Sequence, residues 1–505
     1  MNQLDMSTPE GIVLGLLPEI LLTAWTLVVL LVASWRHGTA RDSRLAGWLG
    51  FTGLVLSGAG LAWLWVNEVS PVGLAQMMAL DPFRYASAAL VLVSAAATIL
   101  LSLGYLERER LLAPEYYPLI LLATAGMMFL VGAEDLVVLF LGLEVMSIAV
   151  YVLAGYNRAN ASSAEAALKY FLIGAFASGF LLYGIALVYG ATGSTNLALI
   201  GAQLSGGQLS LMAGLGLGLL VIGLGFKVAA VPFHMWAPDV YDGAPTPVTG
   251  FMATGVKAAA FVALVRVLVE AFPSAEAFWQ PVIAALAIAS MVAGNLVALA
   301  QRTLKRMLAY SSIAHAGYLL VAVWPGSRLA AGAVLLYLAA YVLTTLASFG
   351  FLTALGRDGE REVTYDGIGG LAARRPWVAL GLSVCMLSLL GFPGTFGFIG
   401  KWYILSAVVA EGQTLLPVVL VITTVISAGY YLPVIMAMYM KPAPSEGIHR
   451  ETALSPVAAG AIAVSVTAVL LFGLWPSPAL DAALESASTL TQTGPPAIGA
   501  VNGER

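Results

Sequence analysis

Residues 225–261 read GFKVAAVPFHMWAPDVYDGAPTPVTGFMATGVKAAAF, and this stretch decides the fold. Two lysines, Lys227 and Lys257, stand in Gly/Ala-rich apolar sequence of the kind that forms membrane-buried helix. Between them come Pro232, Pro238, Pro245 and Pro247, with His234, Asp239 and Asp242. Proline removes a helix hydrogen bond and clashes with the preceding turn. A lysine at the bilayer centre costs about 2.5–3.5 kcal/mol even on a lenient insertion scale. Costly cations beside breaks in a membrane helix point to a protein that moves ions or protons.

The rest of the chain agrees with a membrane setting. Of its 505 residues 60% are hydrophobic and 10% charged, with mean hydropathy +0.90. A soluble domain carries about 25% charge. The apolar stretches are mostly about 20 residues long, enough to cross a hydrocarbon core of roughly 30 Å as helices. The short alternating segments of a β-barrel are absent from the sequence. The expected fold is an all-α polytopic membrane protein. Net charge is −4 and segregated by loop, and nothing in it reads as a nucleic-acid surface. The single cysteine, Cys385, excludes a disulfide within the chain and the cysteine sets that hold iron–sulfur clusters. With no P-loop and no G-x-G-x-x-G after a strand, nucleotide chemistry falls to partners. The N-terminus lacks the basic region of a cleaved signal peptide, so the first apolar segment reads as a retained span.

About 14 helices are expected, with cores near 15–35, 46–67, 83–104, 116–132, 134–155, 164–190, 210–232, 247–271, 279–300, 306–324, 329–355, 376–410, 415–439 and 456–475. Loops on one side hold Arg36, Arg41, Arg44, Arg108, Arg110, Arg158, Arg302, Lys305, Arg306, Arg357, Arg361, Arg374, Arg375, Lys441 and Arg450. The other side holds Arg84, Arg328 and Arg505. The positive-inside rule makes the rich side cytoplasmic and places both termini outside. The tail after residue 476 reads as flexible.

Five basic residues remain: Lys169, Lys227, Lys257, Arg266 and Lys401. Arg266 can snorkel from near a helix end. Lys257 lies ten residues after Pro247, which suits the first helical position behind a Thr246 cap, so it sits about 15 Å into the membrane. Lys401 follows GFPGTFGFIG in an apolar run from Pro376 to Ala410, too long for one straight crossing. Pro393 and the glycines at 391, 394, 397 and 400 predict an unwound centre there. The seventh helix has the same design, with Pro232 opening it near Lys227. Two interrupted helices in corresponding places, five spans apart, predict an internal repeat with a transport site at the midplane. The expected division is a three-helix segment over 1–115, repeats over 116–271 and 279–439, and a C-terminal helix and tail over 440–505. Lysine precedes proline in one half and follows it in the other, a pattern compatible with inverted repeats.

Other ionisable residues allow two readings each. Glu144, about ten residues from each end of the fifth helix in VVLFLGLEVMSIAVYVL, is either a functional carboxylate or half of a packing ion pair, with Lys227 the candidate partner. Lys257 and Lys401 are either proton carriers or counter-charges to a neighbouring subunit; burial disfavours the charged form of a lysine, which lets it exchange a proton near neutral pH. Lys169 is functional or simply snorkels. His315, among Tyr310, Ser311, Ser312 and Tyr318, is a satisfied core histidine or part of a proton-carrying path. His234 reads as structural, Glu19 as a contact to a partner or water, and Asp239 and Asp242 as turn residues.

Six stretches carry a resemblance: LLPEI at 16–20, LGLEVMSIAVYVL at 141–153, ALKYFLIGAFASGFLLYG at 167–184, GFKVAAVPFHMWAPDVYDGAPTPV at 225–248, KRMLAYSSIAHAGY at 305–318 and GFPGTFGFIGKWYIL at 391–405. In combination they resemble the antiporter-like membrane subunits of respiratory NADH:quinone oxidoreductase (complex I), and among these the subunit N branch. The lysine at 401 and the lack of a lateral C-terminal helix separate it from the M and L branches. The resemblance implies a proton-translocating subunit of a bacterial inner membrane. Glu144 and Lys227 are then the input pair, Lys257 the central carrier and Lys401 the residue towards the periplasmic exit, with Lys169 and His315 as further candidates. It also implies that FMN, iron–sulfur clusters, NADH and quinone belong to partner subunits. Partners are other membrane subunits of the complex, related antiporter-like ones included, and the lipid bilayer. Rival expectations are a subunit of a multisubunit Na⁺(K⁺)/H⁺ antiporter, a membrane-bound hydrogenase module, and a passive assembly subunit.

Overall fold

The computed structural model describes residues 3–490 except 7, 37, 72–76, 208, 357–362, 444–454 and 489. Arg357, Arg361, Arg450 and Arg505, used in the orientation argument, lie outside the described residues, as does the tail from 491 onward. Within them the chain is helical almost throughout, with one short parallel pairing of Gln3–Leu4 with Ser70–Pro71. Ten helices are long and apolar enough to cross a membrane: Leu17–Trp35, Ala40–Val66, Pro82–Arg108, Leu136–Ala154, Ala161–Thr192, Thr246–Ala271, Pro273–Ala298, Arg328–Leu355, Leu415–Met440 and Pro456–Leu474. Tyr116–Gly132, Leu211–Lys227, Pro376–Leu390 and Phe396–Ala410 are shorter apolar helices. The protein is a multi-pass membrane protein.

Helix starts follow polar caps. Thr39, Asp81, Asp135, Asn160, Thr303, Ser327 and Ser455 each accept a hydrogen bond from a first-turn amide. Burial is uneven and sets the architecture. Nearly every residue along the Thr246–Ala271 helix is buried and most along Arg328–Leu355 are, whereas only about a third or fewer are in the apolar cores of Leu17–Trp35 and Pro456–Leu474. The first two form the centre with the buried Leu304–Val323 helix; the rim helices turn apolar side chains such as Phe176, Tyr183 and Val425 outward. Apolar exposure on that scale suits a lipid surface, where the backbone is already satisfied within each helix.

Both expected interruptions are present, with shifted ends. The Leu211–Lys227 helix stops at Lys227, five residues before the expected Pro232. Ala229 takes a left-handed conformation, φ 58°, which stops the helix ahead of the proline. The freed groups are met locally: the Trp236 indole donates to the Phe226 carbonyl at 3.0 Å and the Val231 amide to Ser290 Oγ at 2.9 Å. A short helix, Ala237–Gly243, follows. In the second interruption Pro376–Leu390 and Phe396–Ala410 are separated by 391–395. Gly391 and Gly394 take φ of 86° and 85°, values that glycine adopts without strain.

Two expectations are corrected and one feature is new. Thr246 is not the cap of the helix carrying Lys257; Pro245 holds that position and Thr246 is the first helical residue. That helix is also not uniform, because Met252–Val256 and Val267–Ala271 are π-helical turns. Part of the C-terminal stretch read as flexible is the Ser477–Ser486 helix, packed on Arg328–Leu355.

Candidate functional site

Lys227, the last residue of its helix, is 2% exposed. Its ammonium donates to Tyr151 Oη at 3.2 Å and lies over the rings of Tyr151, Tyr170 and Phe226 at 5.1, 5.4 and 5.5 Å. Tyr170 stacks on Trp236 with centroids 4.3 Å apart, so the break in the helix itself supplies a wall of the cage. Ring faces attract a cation that has few other partners. The Tyr151 hydroxyl sits over Gly174, where any Cβ would overlap it.

Glu144 and Lys227 are not an ion pair within 4.0 Å. Glu144 is half-buried and accepts a hydrogen bond from Ser178. It stands two helical turns before Tyr151 on the Leu136–Ala154 helix, so the lysine and the carboxylate meet through the tyrosine's helix face rather than by contact. The flanking Leu141, Val145 and Ile148 are exposed, which puts Glu144 at the edge of the chain.

Lys257, 1% exposed, directly follows the first π-turn. Such turns recur at functional sites. Here the segment is fixed by Ser94 Oγ, 2.6 Å from Thr254 Oγ1. The Lys257 ammonium donates to the Ser312 carbonyl at 2.6 Å and to Ser312 Oγ, with the Tyr341 ring 5.8 Å away. Tyr341 Oη donates to the same Ser312 Oγ at 2.9 Å.

From Ser312 the polar groups continue along the Leu304–Val323 helix. Ser312, His315 and Tyr318 are spaced by three and therefore share a face. Both nitrogens of His315 are engaged: Nδ1 with Tyr337 Oη at 2.6 Å and Nε2 with Tyr431 Oη at 3.1 Å, and Tyr431 also bonds Ser311. Lys401, 4% exposed, lies 4.6 Å from the centroid of the Tyr318 ring. Its ammonium reaches back across the helix break to the Leu389 and Leu390 carbonyls at 3.1 and 3.0 Å, and to Thr424 Oγ1 at 3.4 Å. Thus one helix brings Lys257, His315 and Lys401 together. Of the hydroxyls expected around His315, Ser311 reaches it through Tyr431 and the Tyr318 ring lies beside it, while its direct partners, Tyr337 and Tyr431, come from other helices.

The remaining candidates fall elsewhere. Lys169 is partly exposed and paired with Glu165 at 2.7 Å and Asp239 at 2.8 Å. Asp239 and Asp242 are on the Ala237–Gly243 helix rather than in a turn, and pair with Arg306 at 3.1 and 3.7 Å. Burial pushes the Asp239 carboxyl up, but Lys169 and Arg306 outweigh it and hold it below its ordinary value. Glu19 is fully buried against Arg84 at 2.7 Å, not at a partner or in water, and Arg84 is no loop residue. Arg266 does not snorkel: it is 1% exposed and paired with Asp81, Glu134 and Glu270. Sequence reasoning missed Tyr151, Tyr170, Tyr337, Tyr341, Tyr431 and Thr424. The signal available for the five tyrosines was an aromatic hydroxyl inside an apolar helix, which needs a partner when buried.

A chain of buried lysines and hydroxyls at two helix breaks defines an antiporter-like membrane subunit, and the sequence matches the family described as "NADH:quinone oxidoreductase/Mrp antiporter, TM" over residues 133–427. It is 43% identical over 509 residues to NADH-quinone oxidoreductase subunit N of Gemmatimonas aurantiaca, covering 98% of this chain and 97% of that protein. The chain belongs to the NADH-quinone oxidoreductase subunit N family. Its fold matches a chain of respiratory complex I from Thermus thermophilus with bound aureothin, at TM-score 0.78 and 37% identity over 92% of this chain and 98% of that one. A chain of the Mrp complex from Dietzia sp. matches at TM-score 0.81 over 94% of this chain and 98% of that one, but at 23% identity it speaks for the fold alone.

Proposed function

We propose that this chain pumps protons through its buried lysine chain. Its family makes it a proton-translocating membrane subunit of NADH:quinone oxidoreductase. On this reading Glu144 and Lys227 load the chain, Lys257 is the central carrier, and His315 with its tyrosines hands the proton on to Lys401 and the exit. Lys227's hydrogen bond runs back to Tyr151, so water must bridge the step from Lys227 to Lys257. Lys169 is a peripheral ion-pair member on this reading. The observation that carries it is Lys257 and Lys401 sharing one helix of hydroxyls and a histidine.

The finer architecture belongs to the same proposal. Ten long spans, Leu304–Val323, Tyr116–Gly132, Leu211–Lys227 and the broken pair Pro376–Leu390 and Phe396–Ala410 make 14 crossings, with both termini periplasmic. Residues 116–271 and 279–439 are inverted repeats, each with one broken helix, behind a three-helix segment over 1–115 and before the helix and tail of 440–505. We assign FMN, the iron–sulfur clusters, NADH and quinone to partner subunits, because one cysteine cannot ligate a cluster. This chain then has no redox step and works beside other antiporter-like subunits in the bacterial inner membrane. The half-buried Glu144 on an apolar rim favours such a neighbour, since bare lipid is a poor setting for a carboxylate.

The test is Lys257→Ala in the assembled complex in sealed vesicles. NADH-driven proton uptake should fall to near zero for this subunit's share while assembly persists. Pumping at the wild-type proton-to-electron ratio refutes the relay. Na⁺ or K⁺ exchange by an isolated assembly lacking FMN and iron–sulfur signals favours the antiporter reading.

A further inference from the structure

A second group of charges lies away from the lysine chain, at helix ends that include the far end of the helix carrying Lys257. Glu19 is in the first turn of Leu17–Trp35. Asp81 caps Pro82–Arg108, which carries Arg84 in its first turn. Glu134 is in the link before Leu136, and Arg266 and Glu270 end the Thr246–Ala271 helix. The first two helices run from here to Arg36 and Arg108, so the group lies a helix length from the basic loops.

Its contacts form one line. Arg84 Nη2 donates to Glu19 Oε1 at 2.7 Å, and the Arg84 amide to Asp81 Oδ1 at 2.7 Å. Arg266 donates to both Asp81 oxygens at 3.0 Å, to Glu270 Oε1 at 2.8 Å, and lies 3.8 Å from Glu134 Oε1. Exposure rises along the line, from 0% at Glu19 and Arg84 through 10% at Glu270 to 25% at Glu134.

The charges do not balance. Two guanidiniums, which keep their protons in proteins, face four carboxylates. The neighbouring Tyr85 hydroxyl is spent on the Val69 carbonyl at 3.0 Å, and Asp135 on Thr195 and a helix cap. Carboxylates sharing one dry site do not all stay ionised. Glu19 Oε2 lacks any donor though fully buried, and the Nε atoms of Arg84 and Arg266 also lack partners. A clamp built only for cohesion has no use for the surplus acids or the orphaned atoms. Burial holds the Glu134 carboxyl above its ordinary range, against the pull of Arg266.

We propose that this cluster is a proton-holding site on the face opposite the basic loops, with one proton shared by Glu134 and Glu270 and exchanged with water through Glu134. The step is a plain transfer: hydronium gives its proton to a carboxylate, leaving water and a carboxylic acid, and release is the reverse. Arg266 is nine residues from Lys257 on the same helix, about 14 Å, so the site stands between the central lysine and that surface. Its place in pumping rests on the relay reading above; its titration does not.

The test uses the whole complex in proteoliposomes. Infrared difference spectra across neutral pH should contain a protonated-carboxyl band that is lost in Glu134→Gln, shifted in Glu270→Gln and kept in Glu134→Asp. NADH-driven proton transfer should slow several-fold in Glu134→Gln while uncoupled NADH oxidation continues. Spectra of wild type and Glu134→Gln that titrate identically overturn the site and leave a structural clamp. If Glu134→Gln fails to assemble, a wild-type complex with no carboxyl band changing across neutral pH overturns it without a variant. Intact pumping in Lys257→Ala with the band still titrating refutes the relay alone.

Discussion

Arg84→Met removes the counter-charge of a carboxylate that no water reaches. Both side chains are 0% exposed, and the guanidinium also donates to the Ala79 carbonyl at 2.6 Å and the Gly15 carbonyl at 3.2 Å. Breaking one partner of a buried pair costs roughly 3–5 kcal/mol, because the other charge stays buried and alone. Against a total stability of about 5–15 kcal/mol, the single variant should stand near its folding limit. The double variant Glu19→Leu/Arg84→Met removes both charges and should regain most of the loss, since apolar replacement of a whole buried pair is near neutral or better. The assay is thermal inactivation of the detergent-solubilised complex at pH 7, with subunit abundance in membranes as a check. The single variant should inactivate at a clearly lower temperature than wild type, and the double close to it. Equal stability of single and double variants at pH 7 would refute the reasoning, because the ion pair would then be carrying no load.

Tyr151→Phe keeps the ring beside Lys227 but removes the ammonium's hydrogen bond, 3.2 Å in length. A hydrogen bond to a charged group is worth about 1.5–3 kcal/mol, so the proton-transfer rate should change by roughly 10- to 100-fold if the bond is made in only one of the two protonation states. Proton uptake per NADH oxidised reads this, and an unchanged ratio at unchanged turnover removes Tyr151 from the relay. Asp239, held below its ordinary carboxyl range by Lys169 and Arg306, contributes stability that is present above the unfolded value of about 3.9 and lost as pH falls through the lower folded value. Wild type and Asp239→Asn should therefore differ in thermal stability at neutral pH and converge in acid; a gap that persists in acid points to packing instead.

The sequence made the interrupted helices legible because proline and glycine act on the backbone alone. Pro393 and the glycines around 391–400 specify a break whatever surrounds them, and Gly391 and Gly394 do take left-handed angles. Burial of Lys227, Lys257 and Lys401 was legible for the same reason: the flanking residues are apolar on every side. Partners were not. Glu19 and Arg84 are 65 residues apart and Arg266 and Asp81 185 apart, so neither pair leaves a local periodicity. Arg84 read as a loop cation and Arg266 as a snorkelling one because each is near a helix end, where both outcomes are open to a long side chain. The π-turn before Lys257 was hidden too, since Met252–Val256 has no breaker stronger than Gly255, and its conformation depends on tertiary packing against Ser94 and Met127. The tyrosines escaped because in a membrane chain a tyrosine in an apolar helix reads as lipid-facing until its hydroxyl finds a partner.

The asymmetry between the two lysines at the breaks resolves in three dimensions. In sequence Lys227 comes before its break and Lys401 after, which seems to place them at opposite ends of the two interruptions. Lys227 is the last residue of the first half-helix, Leu211–Lys227. Lys401 belongs to the second half-helix, Phe396–Ala410, but its ammonium crosses the gap to the final carbonyls of the first half-helix, Leu389 and Leu390. Each cation is therefore tied to the carboxyl end of the half-helix that precedes the break, one by chain position and the other by hydrogen bonds. That end carries the negative pole of the helix dipole and unmatched carbonyls, the two features that favour a cation. A break in mid-membrane supplies such an end at a depth where an unbroken helix offers none. At the second break the helix end and the lysine are one device, because the Lys401 ammonium satisfies carbonyls that the break exposes; at the first, the ammonium of Lys227 turns to Tyr151 and the Trp236 indole takes the Phe226 carbonyl. Replacing Lys401 by a neutral residue removes the cation and its carbonyl contacts, so on the relay reading loss of proton transfer and loosening of the 391–395 turn should occur together.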